Sequence, residues 1–419
     1  MSPVPAEPPL LLPRLAAERL LHALDAMPVV VLTGARQTGK STVVRDLLGD
    51  PERRYVSLDS RAVLERALSD PEAFVAQAGT DGTITIDEVQ RAPALLNAIK
   101  LAVDEQRQRR AGRFILTGSA NLLLMRQVSE SLAGRAAYIT IAPMTRREQL
   151  GFGRAGIWGD LIESPVARWR DLALAQAAPF EDWRELALRG GYPRPAVHLS
   201  TEALRSEWFS GYVDTYLERD LPDISPIAHR ADFRRLMQAL AVRTGTLVNQ
   251  TQLARETALP QTTVQRYLNL LEVSYQLVRI PAYTASRAKR LIKTPKLFWG
   301  DPGLARHLAG ERQPRGAHLE NVVALDLLAW RHAHSARTNV LYWRTTTGRE
   351  VDFVIETGQQ LIPIEVKATT QPSTGDLANL RAFMDEYQSS VPGGLLLHCG
   401  TEVFWIAERV LAVPWWHII

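Results

Sequence analysis

The 419-residue chain is almost without cysteine, with Cys399 as its single one. An internal disulfide framework and a zinc site built on thiolates are thereby excluded, and a reducing cytoplasm is the expected setting. Long apolar runs are also missing. None reaches the roughly 18 residues that a membrane helix needs, so no membrane partner is expected. Residues Met1–Leu12 place no basic segment ahead of their Pro- and Leu-rich stretch, which argues against a signal peptide. There is no repeat of solenoid length and no low-complexity tract. What remains is ordinary: 46% hydrophobic residues, 22% charged residues and a net charge of +4. That is the composition of a globular chain with two or three domains.

The sharpest signal lies near the N-terminus. Val29, Val30, Val31 and Leu32 form a short apolar, β-branched run, as a buried parallel strand requires. The run leads into Gly34, Ala35, Arg36, Gln37, Thr38, Gly39, Lys40 and Ser41, which fit G-x-x-x-x-G-K-[ST]. The glycines let backbone N–H groups turn toward phosphate oxygens. Lys40 would reach the β- and γ-phosphates of a nucleotide, and the Ser41 hydroxyl would ligate Mg²⁺. A helix predicted from Thr42 to Leu48 offers its positive end to the anion.

Five strands are predicted up to residue 145, at Val29–Thr33, Arg54–Leu58, Thr83–Ile86, Phe114–Thr117 and Ala137–Ile141. Helical segments separate them, which predicts a parallel α/β sheet with the loop at its carboxyl edge. Thr83–Ile86 ends in Asp87 and Glu88. Asp87 suits a Mg²⁺-holding role, and Glu88 suits a general base that polarises the attacking water. Thr117, and after it Ser119, would orient that water or sense the γ-phosphate; capping of the next helix is the other reading for either hydroxyl. Arg135, just before the fifth strand, is a candidate arginine finger toward a neighbouring subunit, or else a partner in a surface ion pair.

These motifs together resemble the AAA-type P-loop ATPases. More narrowly, they resemble a prokaryotic family that couples such a domain to a C-terminal region of unknown function. Gly190-Gly191-Tyr192-Pro193 and Tyr216-Leu217-Glu218-Arg219-Asp220-Leu221 also look like that family. The resemblance implies ATP and Mg²⁺ as cofactors.

Residues 146–228 read as a helical connector or lid. Within it a helix is predicted from Ala203 to Leu221, with Leu204, Trp208, Tyr212 and Tyr216 on one face and Pro222 closing it. Residues 229–300 read as a winged helix-turn-helix: helices at Phe233–Val242, Asn249–Thr257 and Gln261–Val273, then a strand at Gln276–Tyr283. Val264, Tyr267, Leu268 and Leu271 would face inward. Gln261, Thr262, Thr263, Gln265 and Arg266 would face out, suited to phosphates and base edges. Between His229 and Lys296 stand twelve basic residues against three acids, a local excess of nine, so the remaining residues carry −5. A basic stripe on such a module points to DNA, or else is a solvated face of a protein-interaction module.

In residues 301–419, strands are predicted at Asn339–Arg344, Glu350–Glu356 and Leu361–Lys367. A turn at Gly358-Gln359 pairs residues whose numbers sum to 717, which sets Asp352 opposite Glu365 at about 5 Å. Two such carboxylates repel unless a cation lies between them. A divalent ion fits, with Lys367 stabilising developing charge or activating water. With Glu320 on the preceding helix, the set resembles the restriction-endonuclease-like superfamily, which implies a second Mg²⁺ or Mn²⁺ held by Glu320, Asp352 and Glu365. The apolar stretch Val410–Ile419 is expected to dock on the core.

The expected fold is therefore α/β. A parallel-sheet P-loop ATPase domain is followed by a helical and winged-helix region and an α/β restriction-endonuclease-like C-terminal domain. Two functions remain open. One is an ATP-hydrolysing, DNA-binding protein with a metal-dependent nuclease-like domain, assembling as a homo-oligomer. The other is a nucleotide-switched DNA- or protein-binding module without nuclease activity.

Overall fold

The computed structural model describes residues 11–48, 50–77, 82–105, 111–118, 131–224, 229–286, 290, 293–334 and 338–419. Strands β1 (Val29–Thr33), β2 (Arg54–Ser57), β3 (Ile84–Asp87), β4 (Phe114–Thr117) and β5 (Ala136–Thr140) form one parallel sheet in the order β2-β3-β4-β1-β5. β1 lies between β4 and β5 and is buried on both faces. Val29 and Val31 pack with Leu95, Leu96 and Ile99 of the helix Leu95–Asp104. Val30 and Leu32 pack with Leu20 and Leu24 of the helix Ala16–Ala26. Alternation along a strand sends neighbours to opposite faces, so an apolar run is what a doubly covered strand needs.

The helix after the loop begins at Lys40, not at Thr42. It is α-helical only through Thr42 and then widens to a π-type turn over Val43–Leu47, where the Leu48 N–H donates to the Val43 carbonyl at 3.0 Å.

The three helices predicted between residues 229 and 300 are present. Helices Arg230–Ala241, Gln250–Thr257 and Gln261–Val273 enclose Val264, Tyr267, Leu268 and Leu271. The Asn249 side chain caps the second helix by accepting from Thr251 N at 3.0 Å and Gln252 N at 3.1 Å. Strands β6 (Thr246–Leu247), β7 (Leu277–Ile280) and β8 (Lys296–Trp299) form an antiparallel sheet in the order β6-β8-β7.

The helix expected to end at Pro222 instead continues. It runs as Glu202–Thr215, widens over Tyr216–Asp220, and resumes as Leu221–Ile224. The wide turn restarts the hydrogen-bond ladder, so Pro222 falls in a first turn, where a missing N–H costs little. Leu204 is 52% exposed, and the buried face is formed by Phe209, Tyr212, Val213, Tyr216 and Leu217.

The C-terminal sheet is mixed. β9 (Thr338–Arg344), β10 (Glu350–Thr357) and β11 (Gln360–Val366) are antiparallel. β12 (Gly394–His398) and β14 (Val410–Pro414) run parallel to β11, and β13 (Phe404–Ala407) closes the edge. The β10–β11 register pairs Phe353 with Ile364 and Thr357 with Gln360, the sum of 717 that the turn dictates. The helices Gly316–Ala333 and Ala378–Glu386 cover the sheet.

Trp158, Trp169 and Trp183, expected in a connector, share one core with Leu319, Val323, Trp415, Trp416 and Ile418. Their indoles supply apolar area that the C-terminal sheet buries, so this stretch is part of that core. The docked terminus is held further by Arg146, whose Nη1 donates to the Ile419 carbonyl at 2.8 Å.

Candidate functional site

The phosphate loop follows β1 at the carboxyl edge. Gly34 has φ 137°, and a Cβ there would lie 2.3 Å from the Ile141 carbonyl oxygen, so only glycine fits. Gly39 has φ 90° and opens the helix. Lys40 curls back into the loop, its Nζ donating to the Ala35 carbonyl at 2.7 Å and the Gly34 carbonyl at 3.1 Å. Thr38 Oγ1 donates to the Ala35 carbonyl at 3.0 Å.

Asp87 gathers three hydroxyls. Its Oδ2 accepts from Ser41 Oγ at 3.1 Å and from Tyr55 Oη at 2.6 Å, and its Oδ1 accepts from Thr117 Oγ1. The loop serine and the strand-end aspartate are thus adjacent, as two residues sharing one hard cation would be. Burial, followed by the bond to Asp87, pushes the Tyr55 phenol far above its ordinary value. Glu88 is in the left-handed region, φ 57° and ψ 42°, and accepts from the Gln90 amide. Burial raises its pKa from the ordinary glutamate value.

Ser119 lies outside the described residues. Arg135 precedes β5 and accepts the Val29 N–H on its carbonyl, which puts it at the amino edge, opposite the loop. Its guanidinium makes a two-pronged pair with Asp104, both contacts at 2.7 Å. The ion-pair reading therefore holds within the chain, and any reach toward phosphate is toward another copy.

Three supporting residues carry no signal in the sequence. Arg14 is 7% exposed and lies behind the loop. Its Nη1 donates to the Thr38 carbonyl at 2.7 Å, its Nη2 to the Ala142 carbonyl at 2.7 Å, and its Nε to Glu148 Oε1 at 2.9 Å. Glu148 also accepts from Leu15 N and Thr145 N, each at 2.7 Å. Tyr55 is the second. Tyr275 is the third: it follows the helix Gln261–Val273 by two residues, and its hydroxyl donates to Thr33 Oγ1 at 2.9 Å, at the end of β1.

Gly190-Gly191-Tyr192-Pro193 is a packing joint beside the loop. A Cβ on Gly190 would lie 2.3 Å from Asp301 Oδ1, and one on Gly191 would lie 2.5 Å from the Met144 carbonyl oxygen. Tyr192 packs in the same core as Ala35.

Part of the basic stripe is paired within the chain. Arg234 pairs with Asp214, Arg235 with Asp232, Arg243 with Glu256, Arg279 with Glu272, and Arg290 with Glu356. Arg287 and Lys289 lie outside the described residues. On the third helix Gln261, Thr262, Gln265 and Arg266 are exposed as expected, with the Arg266 guanidinium over the Tyr267 ring at 5.3 Å.

The C-terminal carboxylates converge, but on a lysine. Lys296, the first residue of β8 and 2% exposed, puts its Nζ 2.9 Å from Glu320 Oε2, 2.9 Å from Glu350 Oε1 and 3.1 Å from Asp352 Oδ1. Burial alone would lower the Lys296 pKa; Asp352, Glu320 and Glu350 outweigh it and raise it. Asp352 Oδ2 accepts from Val366 N at 2.9 Å. Lys367 Nζ pairs with Glu365 Oε1 at 2.7 Å, while the buried Glu365 Oε2 has no hydrogen-bond partner. Burial first, then Asp352, pushes Glu320 up to about 7 and Glu365 up to about 8. Among the described residues no group of three or more His, Cys, Asp or Glu side chains has the arrangement of a metal centre. Glu320, Glu350 and Asp352 are drawn to the Lys296 ammonium, and Glu365 to Lys367.

Residues 26–150 match the model of an AAA domain. Residues 180–315 and 315–418 match two domains of unknown function, DUF8612 and DUF4143. The uncharacterized proteins Rv2008c of Mycobacterium tuberculosis and Mb2031c of Mycobacterium bovis are each 32% identical over 407 residues, 95% of this chain and 82% of theirs. An uncharacterized protein of Haemophilus influenzae is 22% identical over 421 residues, 94% of this chain and 97% of its own. Among solved structures, the Walker-type ATPase PABY2304 of Pyrococcus abyssi aligns over 70% of this chain and 94% of its own at 15% identity, with a TM-score of 0.45. Among the described residues no helix is long and apolar enough to cross a membrane. With an α/β fold led by an AAA-type P-loop domain, the chain belongs to the family that includes Rv2008c and Mb2031c.

Proposed function

We propose that this protein is an ATP-hydrolysing switch whose nucleotide state sets the DNA affinity of its winged helix. The single observation that carries the reading is the Tyr275–Thr33 hydrogen bond, which joins the end of the outward-facing helix to the strand that enters the phosphate loop. ATP binds with its phosphates against the loop N–H groups and Lys40. Ser41 and Asp87 would hold Mg²⁺, which would supply positive charge to the phosphate oxygens. Glu88 takes the proton of the attacking water, and its burial keeps that carboxylate basic enough to do so. Thr117 fixes Asp87. A homo-oligomer would bring Arg135 to a neighbouring nucleotide. Gln265 and Arg266 contact DNA. The test is DNA affinity with ATP, with ADP and with no nucleotide, for the wild type and Tyr275→Phe. A difference between the nucleotide states that shrinks in Tyr275→Phe supports the switch. Equal affinities in all states refute it.

A second reading, a metal-dependent nuclease-like site, is supported by the β10–β11 register, in which the paired Phe353 and Ile364 directly adjoin Asp352 and Glu365, and by the bond from Lys367 to Glu365. The carboxylate oxygens are a hard donor set that suits Mg²⁺ or Mn²⁺. DNA cleavage with either ion, compared with Asp352→Ala, decides it.

A further inference from the structure

Lys296 belongs to the winged-helix sheet, where it pairs with Leu247 and Ile280, yet its ammonium is buried in the carboxylates of the C-terminal domain. It therefore ties two units together through one charged side chain. The surroundings are over-supplied with negative charge. Glu320, Glu350, Asp352 and Glu365 face Lys296 and Lys367, a formal excess of two negative charges inside the cluster; Arg344 pairs with Glu350 from the exposed side at 3.2 Å. Glu365 is 2% exposed and its Oε2 has no partner, so one buried acceptor stands ready for a cation. A buried carboxylate oxygen without a hydrogen bond is costly, and the structure retains this one beside three other acidic side chains although Lys367 holds Oε1.

We propose that Lys296 is a tethered cation holding the place of a divalent metal, and that a metal bound by Asp352 and Glu365 expels it from the cluster. The inference rests on the second reading, that this cluster is a cation site, but not on DNA cleavage. Lys296 and a divalent ion compete for Asp352 Oδ1, because two cations held on one buried oxygen repel each other strongly where no water screens them. When Lys296 leaves, its contacts with Glu320 and Glu350 break together, and the seam between β8 and the C-terminal domain loses its central ion pairs. The seam keeps the neutral bonds from Asn321 Nδ2 to the Trp299 carbonyl at 2.8 Å and from Thr244 Oγ1 to Asn321 Oδ1 at 3.1 Å. The wing therefore loosens without detaching.

The experiment is amine acylation of the full chain without nucleotide, with modification of Lys296 followed by mass spectrometry as Mn²⁺ is added. Lys296 in the wild type reacts slowly, and saturating Mn²⁺ raises its rate about tenfold, a change equivalent to one decade in the open population. In Asp352→Asn, Mn²⁺ leaves the rate where it was. Direct Mn²⁺ titration adds the converse: Lys296→Met binds Mn²⁺ at least ~10-fold tighter than the wild type, since the competitor is gone. A Lys296 acylation rate in the wild type that does not respond to Mn²⁺ overturns the proposal, and does so whether or not Lys296→Met folds. Mn²⁺-dependent exposure of Lys296 with no cleavage of DNA keeps the exchange and removes the nuclease reading.

Discussion

Replacing Arg14 by alanine asks how much the phosphate loop owes to a side chain outside it. Arg14 spends its guanidinium on three acceptors: Glu148, the Thr38 carbonyl inside the loop, and the Ala142 carbonyl. Breaking a buried ion pair by removing one partner costs about 3–5 kcal/mol. Glu148 keeps its bonds from Leu15 N and Thr145 N, so its charge is not stranded and the lower end, about 3 kcal/mol, applies. Only part of that reaches ATP. The Thr38 carbonyl loses one charge-assisted bond, worth about 1.5 kcal/mol, and the loop N–H groups lose their fixed aim. Arg14→Ala should therefore raise the Kd for ATP about tenfold, measured by calorimetric titration. It should also lower the temperature of the ATPase domain's unfolding transition in a calorimetric scan. Arg14→Lys retains the charge but cannot fork to three acceptors, and should fall between the two. An Arg14→Ala protein with wild-type ATP affinity and an unchanged unfolding transition would refute the buttress. A lysine variant equal to wild type would refute the role of the fork.

Glu88→Gln should lower ATP turnover ~100-fold or more while leaving ATP binding near wild type, since it removes a base and not a phosphate contact. Lys40→Ala should abolish turnover, checked by phosphate release. Arg266→Ala should weaken DNA binding and reduce the salt slope of the affinity by about one, as loss of one phosphate contact does. Asp326 supplies a pH test. Burial pushes its carboxyl up to about 6, and its Oδ2 has no hydrogen-bond partner. Its folded value lies above its unfolded one, so the folded chain binds the extra proton between roughly pH 4 and 6, and stability falls as pH rises through that window. Asp326→Asn removes the charge and keeps an acceptor for Gly156 N and Trp158 Nε1, so it should raise thermal stability at pH 8, with the gain vanishing near pH 4.

The sequence is legible where chemistry is local and illegible where it is not. Gly34 to Ser41 needs eight consecutive residues to make its loop, and Asp87 needs only the apolar strand before it. The β10–β11 register follows from one tight turn and the two-residue period of a strand, so it could be worked out by counting, as the pair Phe353–Ile364 shows. Arg14, Tyr275 and Lys296 are single side chains whose partners lie 134, 242 and 56 residues away, and no spacing announces them. The pairing within the basic stripe was illegible for a related reason. A count over residues 229–296 sees twelve cations, but Asp214, Glu356, Glu320, Glu350 and Asp352 lie outside that window and pair with three of its members, Arg234, Arg290 and Lys296. Charge along the chain is not charge on the surface. Pro222 shows the same limit for backbone: a proline stops a helix only if the ladder before it is unbroken.

The core shared by Trp158, Trp169 and Trp183 with Trp415 and Trp416 has a consequence for synthesis. A ribosome makes the first three tryptophans more than two hundred residues before the last two. During that interval the ATPase domain and the winged helix can close around their own contacts, while the indoles between them wait uncovered. Domains fold as units as they emerge, and apolar surface left open in the meantime invites chaperones or aggregation. An mRNA cut short before Val410 would leave that surface exposed for good, so incomplete copies would be marked for removal by their own tryptophans.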